Sequence, residues 1–279
     1  MRRPTEQVMV TREQVPMPPS GGELAFTGLG KTFGKGDRQV TALTDVDLTV
    51  RDGEFVAFLG PSGCGKSTLL RILMGLETVS TGTVSVGGRI NPAPARDRAL
   101  VFQGDSLLPW RTVAQNAELG LEFEGVPHRD RRAQVDDLLR LVGLSDFGKR
   151  YPHELSGGMR QRVNLIRALA IKPSVLLMDE PFGALDALTR EVMQTELLRI
   201  WHERASTVCF VTHSIEEAVF LADRVVVFAP RPGRIVEDVV INLPRPRELE
   251  MRRTPEFVEL AQRLWNILMR SGSIGIGSD

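Results

Sequence analysis

Short apolar runs recur along this chain, and two patterns distinguish them. The runs at residues 55–59, 174–178 and 207–212 contain almost no polar alternation, which predicts buried strands and is typical of the parallel sheet of an α/β core. Residues 24–26 and 41–50 alternate between polar and apolar positions, as half-buried strands do. Shorter strands are predicted at residues 81–88, with a tight turn, and at residues 99–102, 224–229 and 234–241.

Helical spacing fills most of the intervals between these strands. A helix is predicted after Ser156, because this serine is a favourable N-cap and Met159, Val163, Ile166 and Ala170 then share one stripe. Another amphipathic helix places Val135, Leu138, Leu139 and Val142 on one face. The predicted helices cover residues 69–74, 112–124, 130–142, 156–170, 189–203, 214–221 and 254–270. The apolar side of the last one carries Phe257, Leu260, Leu264, Trp265 and Leu268.

A glycine-rich segment joins the first buried strand to the first helix. It consists of Gly60, Pro61, Ser62, Gly63, Cys64, Gly65, Lys66, Ser67 and Thr68. The segment matches the phosphate-binding P-loop pattern G-x-x-x-x-G-K-[ST] in the strand–turn–helix context that this pattern requires. Its backbone N–H groups and the helix N-terminus suit a nucleotide polyphosphate. We expect Lys66 to reach the β- and γ-phosphates, Ser67 to bind Mg²⁺, and Thr68 to cap the helix or bond the α-phosphate.

Acidic and polar residues stand where buried strands end. Asp179 and Glu180 follow the run at residues 174–178, and His213 follows the run at residues 207–212. Ligands bind at the carboxyl ends of strands in open α/β sheets. Asp179 therefore fits a magnesium-side acid, and Glu180 fits the base that orients an attacking water. His213 is either a structural residue or a member of the same site.

Several other positions leave two interpretations open. Phe33, placed on a turn after Lys31, is either a core anchor or a surface on which a base stacks. Two glycines directly after Ser156 weaken a helix, so Gly157 and Gly158 favour a second phosphate contact at the helix N-terminus. Leu107, Leu108 and Trp110 follow Gln103 in an apolar loop, which we interpret as a partner surface; the alternative for Trp110 is a core position.

Composition narrows the class of protein. Lys and Arg together number 35, as do Asp and Glu, so no overall charge favours nucleic acid. Cys64 and Cys209 are the only cysteines among 279 residues, which excludes a disulfide framework; we expect the Cys64 thiol to be reactive inside the phosphate cradle. No signal peptide or membrane-spanning run is predicted, which indicates a soluble, cytoplasmic protein with a flexible tail at residues 1–22.

Taken in order, these motifs resemble the nucleotide-binding subunit of an ABC transporter over about residues 23–245. The P-loop is followed by a glutamine loop at Gln103, a signature segment at residues 155–159, the acidic strand, an aspartate loop ending at Asp186 and a histidine loop at His213. The signature segment discriminates this family from other P-loop proteins. The resemblance implies an α/β fold: a P-loop NTPase (RecA-like) core with an antiparallel β subdomain and an inserted helical signature subdomain at about residues 104–172. Residues 246–279 are predicted to form a C-terminal helical extension.

The resemblance also implies roles for these residues. Glu180, His213 and Gln103 would be catalytic; Ser67, Gln103 and Asp179 would hold Mg²⁺; Phe33 would stack on the adenine of ATP. Ser156, Gly157 and Gly158 would bind the γ-phosphate held by Lys66 of an opposing subunit, and Asp186 would connect the two sites. The opposing subunit is either a second copy of the chain or a paralogue.

The same resemblance places the protein peripherally on the cytoplasmic face of the inner membrane. It implies a separate membrane permease as partner, with a periplasmic or surface solute-binding protein delivering the solute. Residues 103–110 and 231–247 resemble the importer subgroup for nitrate, sulfonates, taurine and related compounds.

Three other classes of protein also carry a P-loop of this kind. A DNA or chromosome ATPase of the same fold needs a coiled coil or zinc insert between the P-loop and the signature, and neither is present in the sequence. A P-loop kinase or GTPase does not explain residues 155–159, and the sequence has no N-K-x-D motif. An exporter or lipid-extraction ATPase of the same family is disfavoured by the loop at residues 108–110 but stays open.

Overall fold

The computed structural model of the protein describes residues 21–104 and 106–272. Ten strands are present in this part: β1 (Leu24–Phe33), β2 (Val40–Val50), β3 (Phe55–Leu59), β4 (Thr81–Val86), β5 (Arg89–Ile90), β6 (Arg98–Val101), β7 (Val175–Asp179), β8 (Thr207–Thr212), β9 (Arg224–Phe228) and β10 (Ile235–Val240). Its eight α-helices are α1 (Lys66–Met74), α2 (Val113–Ala117), α3 (Leu119–Phe123), α4 (His128–Leu141), α5 (Gly157–Ala170), α6 (Ala187–Arg204), α7 (Ile215–Leu221) and α8 (Pro255–Arg270). Across the described ranges, none of the helices combines the length and apolarity of a membrane span.

A six-stranded sheet in the order β10-β9-β3-β8-β7-β6 forms the centre of the molecule. Its strands are parallel except for β10, which pairs antiparallel with β9. Every residue of β3 and β8 is buried, because α1 and the strands β1, β2 and β4 cover one face of the sheet and helices that include α5 and α6 cover the other. The P-loop follows β3, Glu180 follows β7 and His213 follows β8, so the topology brings all three to one edge of the sheet.

A second, four-stranded antiparallel sheet in the order β2-β1-β4-β5 packs beside the first. Leu24, Phe26, Val46 and Val50 are buried in one apolar cluster with residues of β3 and α1. Phe33 is the last residue of β1 and pairs with Val40 of β2, so the prediction that it lies on a turn is wrong by one residue. The turn begins at Gly34, which has a φ of 81° that glycine adopts readily.

The helices α2 to α5 form a separate layer between β6 and β7 along the chain. The predicted apolar face of Val135, Leu138, Leu139 and Val142 is buried there. Leu107 is also buried, with 8% of its surface exposed, which contradicts its assignment to an exposed loop. Its side chain belongs to the same apolar cluster as the helices, because the loop turns inward before Leu108.

The helix predicted over residues 112–124 is divided into α2 and α3 at Glu118. Gly120 follows two residues later, and a Cβ atom added there would lie 2.3 Å from Cγ2 of Ile171. The absence of a side chain at this position therefore permits close packing against the segment after α5. At the start of α2, Thr112 and Gln115 form a reciprocal capping box that satisfies two N-terminal amides.

The C-terminal helix α8 packs against α7 and contributes Phe257, Leu264 and Leu268 to the main core. Trp265, predicted on the apolar side, is 45% exposed; the buried stripe is narrower than the sequence pattern because only one face of α8 packs on the rest of the fold. The domain boundary at residue 245 stays a prediction. The tail predicted at residues 1–22 lies outside the described residues except for Gly21 and Gly22, and the Gly22 N–H donates to Asp52, so Gly22 is fixed.

Candidate functional site

The P-loop is a rigid turn whose glycines are needed for close approach. Gly65 has a φ of 95°, and a Cβ atom there would lie 2.6 Å from Leu43 and 2.7 Å from the Ala42 carbonyl oxygen. A Cβ atom on Gly60 would lie 2.8 Å from the Phe228 carbonyl oxygen. Contacts this short require a shift of the backbone, so larger residues at these two positions would distort the loop.

Lys66 begins α1 and is buried, with 4% of its surface exposed. Its ammonium group donates to the carbonyl oxygens of Gly60 at 2.7 Å and Pro61 at 2.8 Å. These bonds hold a cation against the inner side of the P-loop. The third N–H donor of the ammonium group contacts the Cys64 sulfur at 3.4 Å, and a phosphate oxygen can replace this weaker partner while both carbonyl bonds stay.

The side chains of Ser67 and Asp179 meet at the end of β7. The Ser67 hydroxyl donates to Oδ1 of Asp179 at 2.9 Å. Burial raises the pKa of the Asp179 carboxyl, and the hydrogen bond from Ser67 opposes that rise. A partly buried carboxylate with a hydroxyl beside it provides hard oxygen ligands of the kind that Mg²⁺ prefers.

Two predicted catalytic residues, Gln103 and His213, contact the carboxylate of the third, Glu180. Nε2 of Gln103 donates to Oε2 of Glu180 at 3.2 Å, and Nδ1 of His213 lies 3.2 Å from the same oxygen. The backbone of Glu180 has a φ of 47°, a left-handed conformation that costs a non-glycine residue about 1–3 kcal/mol. Hydrogen bonds from the Glu180 N–H to Val211 and from Gly183 to the Glu180 carbonyl stabilise this conformation.

A cleft of about 290 Å³ runs along the P-loop. Its lining brings together nine predicted site residues: Phe33, Ser62, Gly63, Gly65, Lys66, Ser67, Thr68, Gln103 and Glu180. Phe33 is 38% exposed, and the Lys31 ammonium lies 4.8 Å from its ring centroid. The structure therefore places Phe33 at the cleft surface and not in the core. At the surface, a flat ligand ring has access to the phenyl ring.

Gly60, Pro61 and Cys64 do not line the cleft. The Cys64 side chain is 1% exposed, packs in the apolar cluster under the P-loop, and accepts a hydrogen bond from Lys66 at 3.4 Å. The expectation of an accessible thiol in the phosphate cradle is therefore wrong: the backbone of Cys64 belongs to the loop, but its thiol points toward the sheet. Cys209 is buried in β8, and burial raises the pKa of its thiol.

The signature residues lie apart from the residues that line the cleft. Ser156 caps α5 by accepting from the Met159 N–H at 3.3 Å. Gly157 is exposed, and a Cβ atom on Gly158 would lie 3.3 Å from Leu185. The signature therefore adjoins the aspartate loop. Within one chain it does not meet the P-loop cleft.

Asp186 ends the aspartate loop and caps α6. Its Oδ1 atom accepts from the Thr189 N–H at 3.0 Å. This hydrogen bond, with further bonding to Thr189, lowers the pKa of the carboxyl. In this chain the observed role of Asp186 is thus a helix cap at the surface.

Three residues that line the cleft were not predicted as site residues: Val40, Ala42 and Arg231. Val40 and Ala42 belong to a strand with ordinary alternation, which gives no sign of a ligand. In the sequence, Arg231 is only part of a segment that resembles the importer subgroup. It follows β9, which pairs with β3, so its position near the P-loop depends on the strand order of the tertiary fold.

Comparison with known proteins agrees with this geometry. The family model for ABC transporters matches residues 43–183. The chain is 50% identical to a taurine import ATP-binding protein of Rhizobium johnstonii, over 83% of this chain and 90% of that protein. It is 44% identical to a nitrate import ATP-binding protein of Synechocystis, over 88% of this chain and 94% of that protein.

A solved structure shares the fold. It is an ATP-binding cassette in dimeric form, in a post-hydrolysis state bound to ADP and phosphate. It superposes with a TM-score of 0.73 at 32% identity, covering 79% of this chain and all of that one. These similarities agree with the phosphate-binding loop and the acidic strand end described above. The chain therefore belongs to the ABC transporter family as one of its ATP-binding cassettes.

Proposed function

We propose that this chain is the ATP-hydrolysing subunit of an importer for a small anionic or related solute of the nitrate, sulfonate or taurine type. The observation that carries the proposal is the convergence of Gln103 and His213 on Glu180 beside the P-loop cleft. Such an arrangement orients one carboxylate toward a site where a phosphate would lie. The similarity to taurine and nitrate import ATP-binding proteins supports the choice of solute class.

ATP binding would use both ends of the cleft. Phe33 offers an exposed ring for the adenine, with Val40 beside it. Ser62, Gly63 and Gly65 offer backbone amides and the N-terminus of α1 for the phosphates. Lys66 supplies the cation at the centre of the loop.

Ser67 and Asp179, with Gln103, are the residues that would hold Mg²⁺. Among the described residues there is no group of three His, Cys, Asp or Glu side chains that could bind a metal alone. This fits Mg²⁺, which is usually held by one or two protein carboxylates, substrate phosphates and water. Bound there, the ion would neutralise charge on the phosphates.

Hydrolysis would depend on Glu180 as the base that orients and deprotonates the attacking water. Gln103 and His213 contact one carboxylate oxygen and so fix the direction of the other. A positioned base contributes roughly 10²- to 10⁴-fold to a rate. His213 is 64% exposed at its side chain and can also contact a γ-phosphate.

Two cassettes would be needed for a complete site. Ser156, Gly157 and Gly158 present the N-terminus of α5 to solvent, and none of them lines the cleft of its own chain. An opposing cassette would bring these amides to the γ-phosphate, with Asp186 at the surface between the two sites. The dimeric cassette of similar fold supports this assembly.

The permease contact would involve the helical layer. Trp110 and Phe123 are each 71% exposed, and the ion pair between Arg111 and Glu122 brings their segments together. Exposed aromatic residues of this kind mark contact surfaces. The cassette would thus sit peripherally on the cytoplasmic side of the inner membrane, and a solute-binding protein would act through the permease.

The proposal is tested by reconstituting the chain in proteoliposomes with a permease and a solute-binding protein of the same importer. We expect ATP hydrolysis that requires Mg²⁺ and rises when taurine, another sulfonate or nitrate is present with the binding protein. Hydrolysis that none of these solutes stimulates, in an assembly that forms normally, would contradict the solute class. Absence of hydrolysis would contradict the enzymatic role.

A further inference from the structure

The loop between β9 and β10, residues 229–234, connects two parts of the cleft. The Gly233 N–H donates to the Ala42 carbonyl at 2.9 Å, and the Thr44 N–H donates to the Gly233 carbonyl at 3.0 Å. A Cβ atom on Gly233 would lie 1.8 Å from the Cys64 carbonyl oxygen, so the two backbones touch. The loop is therefore fixed against both β2 and the P-loop.

Arg231 extends from this loop over the outer side of the P-loop. Its Nε atom donates to the Gly63 carbonyl at 2.8 Å, and a Cβ atom on Gly63 would lie 3.4 Å from the terminal nitrogen NH2. The guanidinium group lines the cleft together with Gly63, Lys66 and Phe33. Its terminal nitrogens form no ion pair with any carboxylate of residues 21–104 and 106–272.

We propose that Arg231 is a nucleotide-binding residue whose terminal nitrogens donate to phosphate oxygens of ATP. This inference rests on the proposed function, since it assumes that ATP occupies the cleft. Lys66 lies on the inner side of the P-loop and Arg231 on the outer side, so the two cations flank the turn that binds phosphate. An arginine fork suits phosphate oxygens because it offers two parallel donors.

Phosphate is a better partner for Arg231 than the base. The guanidinium group is attached to Gly63, within the phosphate-binding turn. The base already has a stacking partner in the proposed site, Phe33, which is the one aromatic ring of the cleft lining. A contact of Arg231 with phosphates should therefore weaken as phosphates are removed from the ligand and should be sensitive to salt.

The test compares R231A, R231Q and R231K with the matched control R234A. Arg234 lies in the same loop, is exposed and does not line the cleft. Dissociation constants for ATP, ADP and adenosine are measured by calorimetry at low and high salt, and melting temperatures are recorded without nucleotide. We expect R231A and R231Q to weaken ATP binding about tenfold, equivalent to about 1.4 kcal/mol, and to bind adenosine normally.

In the same series, R231K should lose less affinity for ATP than R231A, and R234A should behave as the wild type. The loss in R231A and R231Q should shrink at high salt, because it reflects a charge contact with phosphate. Gln in place of Arg keeps a donor for the Gly63 carbonyl but carries no charge, so R231Q separates phosphate binding from support of the loop.

Two results would overturn the assignment. Equal ATP affinities for R231A and R234A would show that Arg231 does not bind the nucleotide. Because both variants would still bind ATP, this result would not contradict the proposed function. A parallel loss of adenosine and ATP affinity, or wild-type affinity in R231Q, would reduce Arg231 to a support of the loop. Failure of the wild-type protein to bind ATP would contradict the proposed function instead.

Discussion

At the residue scale, the site depends on side chains whose positions are fixed by several neighbours at once. Glu180 is the clearest case: its backbone adopts an unfavourable φ of 47°, and its carboxylate is contacted by Gln103 and His213. Asp179, one residue earlier, points to Ser67 instead. The two adjacent acids thus point to different partners, because β7 ends at Asp179 and the left-handed backbone of Glu180 redirects its side chain.

Cys64 supplies a prediction about accessibility. Because its thiol is buried under the P-loop, we expect maleimide to label native Cys64 slowly, whether or not ATP is present. Cys209, buried in β8, should behave alike, and both thiols should react at once in urea. Rapid labelling of native Cys64 that ATP suppresses would place the thiol in the cleft and contradict the structure.

Glu217 supplies a prediction about pH. It is buried near His213, accepts hydrogen bonds from Thr212 and Gln194, and lies close to the charged groups of Arg190 and Arg252. Burial raises its pKa above the ordinary 4.5, so the folded state binds this proton more tightly than the unfolded state does. Its contribution to stability is complete below the ordinary pKa and is lost as the pH rises through the raised value.

Glu217→Gln removes this titration and keeps the shape of the side chain. The melting temperature of the wild type, relative to that of Glu217→Gln, should therefore increase as the pH falls from 7 to 5. Thermal melts of the two proteins across this range measure the effect. A difference that stays constant, or that changes in the opposite direction, would show that Glu217 does not titrate as its burial implies.

At the element scale, the segment after Gln103 separates a buried anchor from an exposed one. Leu107 is buried among the helices, whereas Trp110 is 71% exposed. The Asn116 side chain holds the loop between them through the Leu108 backbone N–H at 2.7 Å and the Arg111 carbonyl at 3.0 Å. The loop is therefore rigid without any help from the Trp110 ring.

Trp110→Ala should consequently change the free energy of unfolding of the free subunit by no more than about 0.5 kcal/mol. The variant should bind ATP normally. Loss of an aromatic anchor should weaken permease association about thirtyfold, near 2 kcal/mol, and reduce solute uptake. Melting curves, nucleotide titrations and uptake by the assembled transporter test this. Trp265→Ala on α8 is the control for loss of an exposed tryptophan elsewhere.

Leu107→Ala provides the contrast within the same loop. Truncation of a buried leucine costs about 2–5 kcal/mol, so this variant should melt at a clearly lower temperature. A Trp110→Ala variant as unstable as Leu107→Ala would assign the tryptophan to the core. A stable variant with normal permease binding would remove it from the contact surface.

At this scale, the sequence predicted strands correctly where a segment is apolar throughout. β3 and β8 are apolar throughout and buried throughout, and the predicted bounds of β8 are those of the structure. Where the outcome depended on contacts with distant elements, the patterns failed. Leu107 and Trp265 are both large apolar residues, but Leu107 is buried and Trp265 is exposed. The difference depends on which neighbouring elements pack against each residue.

At the scale of the whole molecule, the cleft combines residues from both sheets. Phe33 comes from the antiparallel sheet, the P-loop and Glu180 from the parallel one, and Gln103 from the start of the helical layer. Motif order along the sequence was enough to predict most of this site, because the carboxyl ends of parallel strands share one edge. Arg231 and the inward direction of the Cys64 thiol depend on long-range packing and had no local signal.

Under the proposed function, a single cassette is an incomplete enzyme. Ser156 and the two following glycines lie outside the cleft of their own chain, so a second cassette would have to supply them. ATP should then act as a bridge between the two cassettes, and hydrolysis should release it. A variant that binds ATP but hydrolyses it slowly should accumulate as a dimer.

Glu180→Gln tests this central claim most directly. The amide keeps the shape of the side chain but cannot accept the proton of the attacking water, so phosphate release should fall by about 10²- to 10⁴-fold. ATP affinity should stay within about twofold of the wild type, and size-exclusion chromatography with ATP should show a longer-lived dimer. Phosphate release near the wild-type rate, from a variant that folds and binds ATP, would contradict the assignment of Glu180 as the catalytic base.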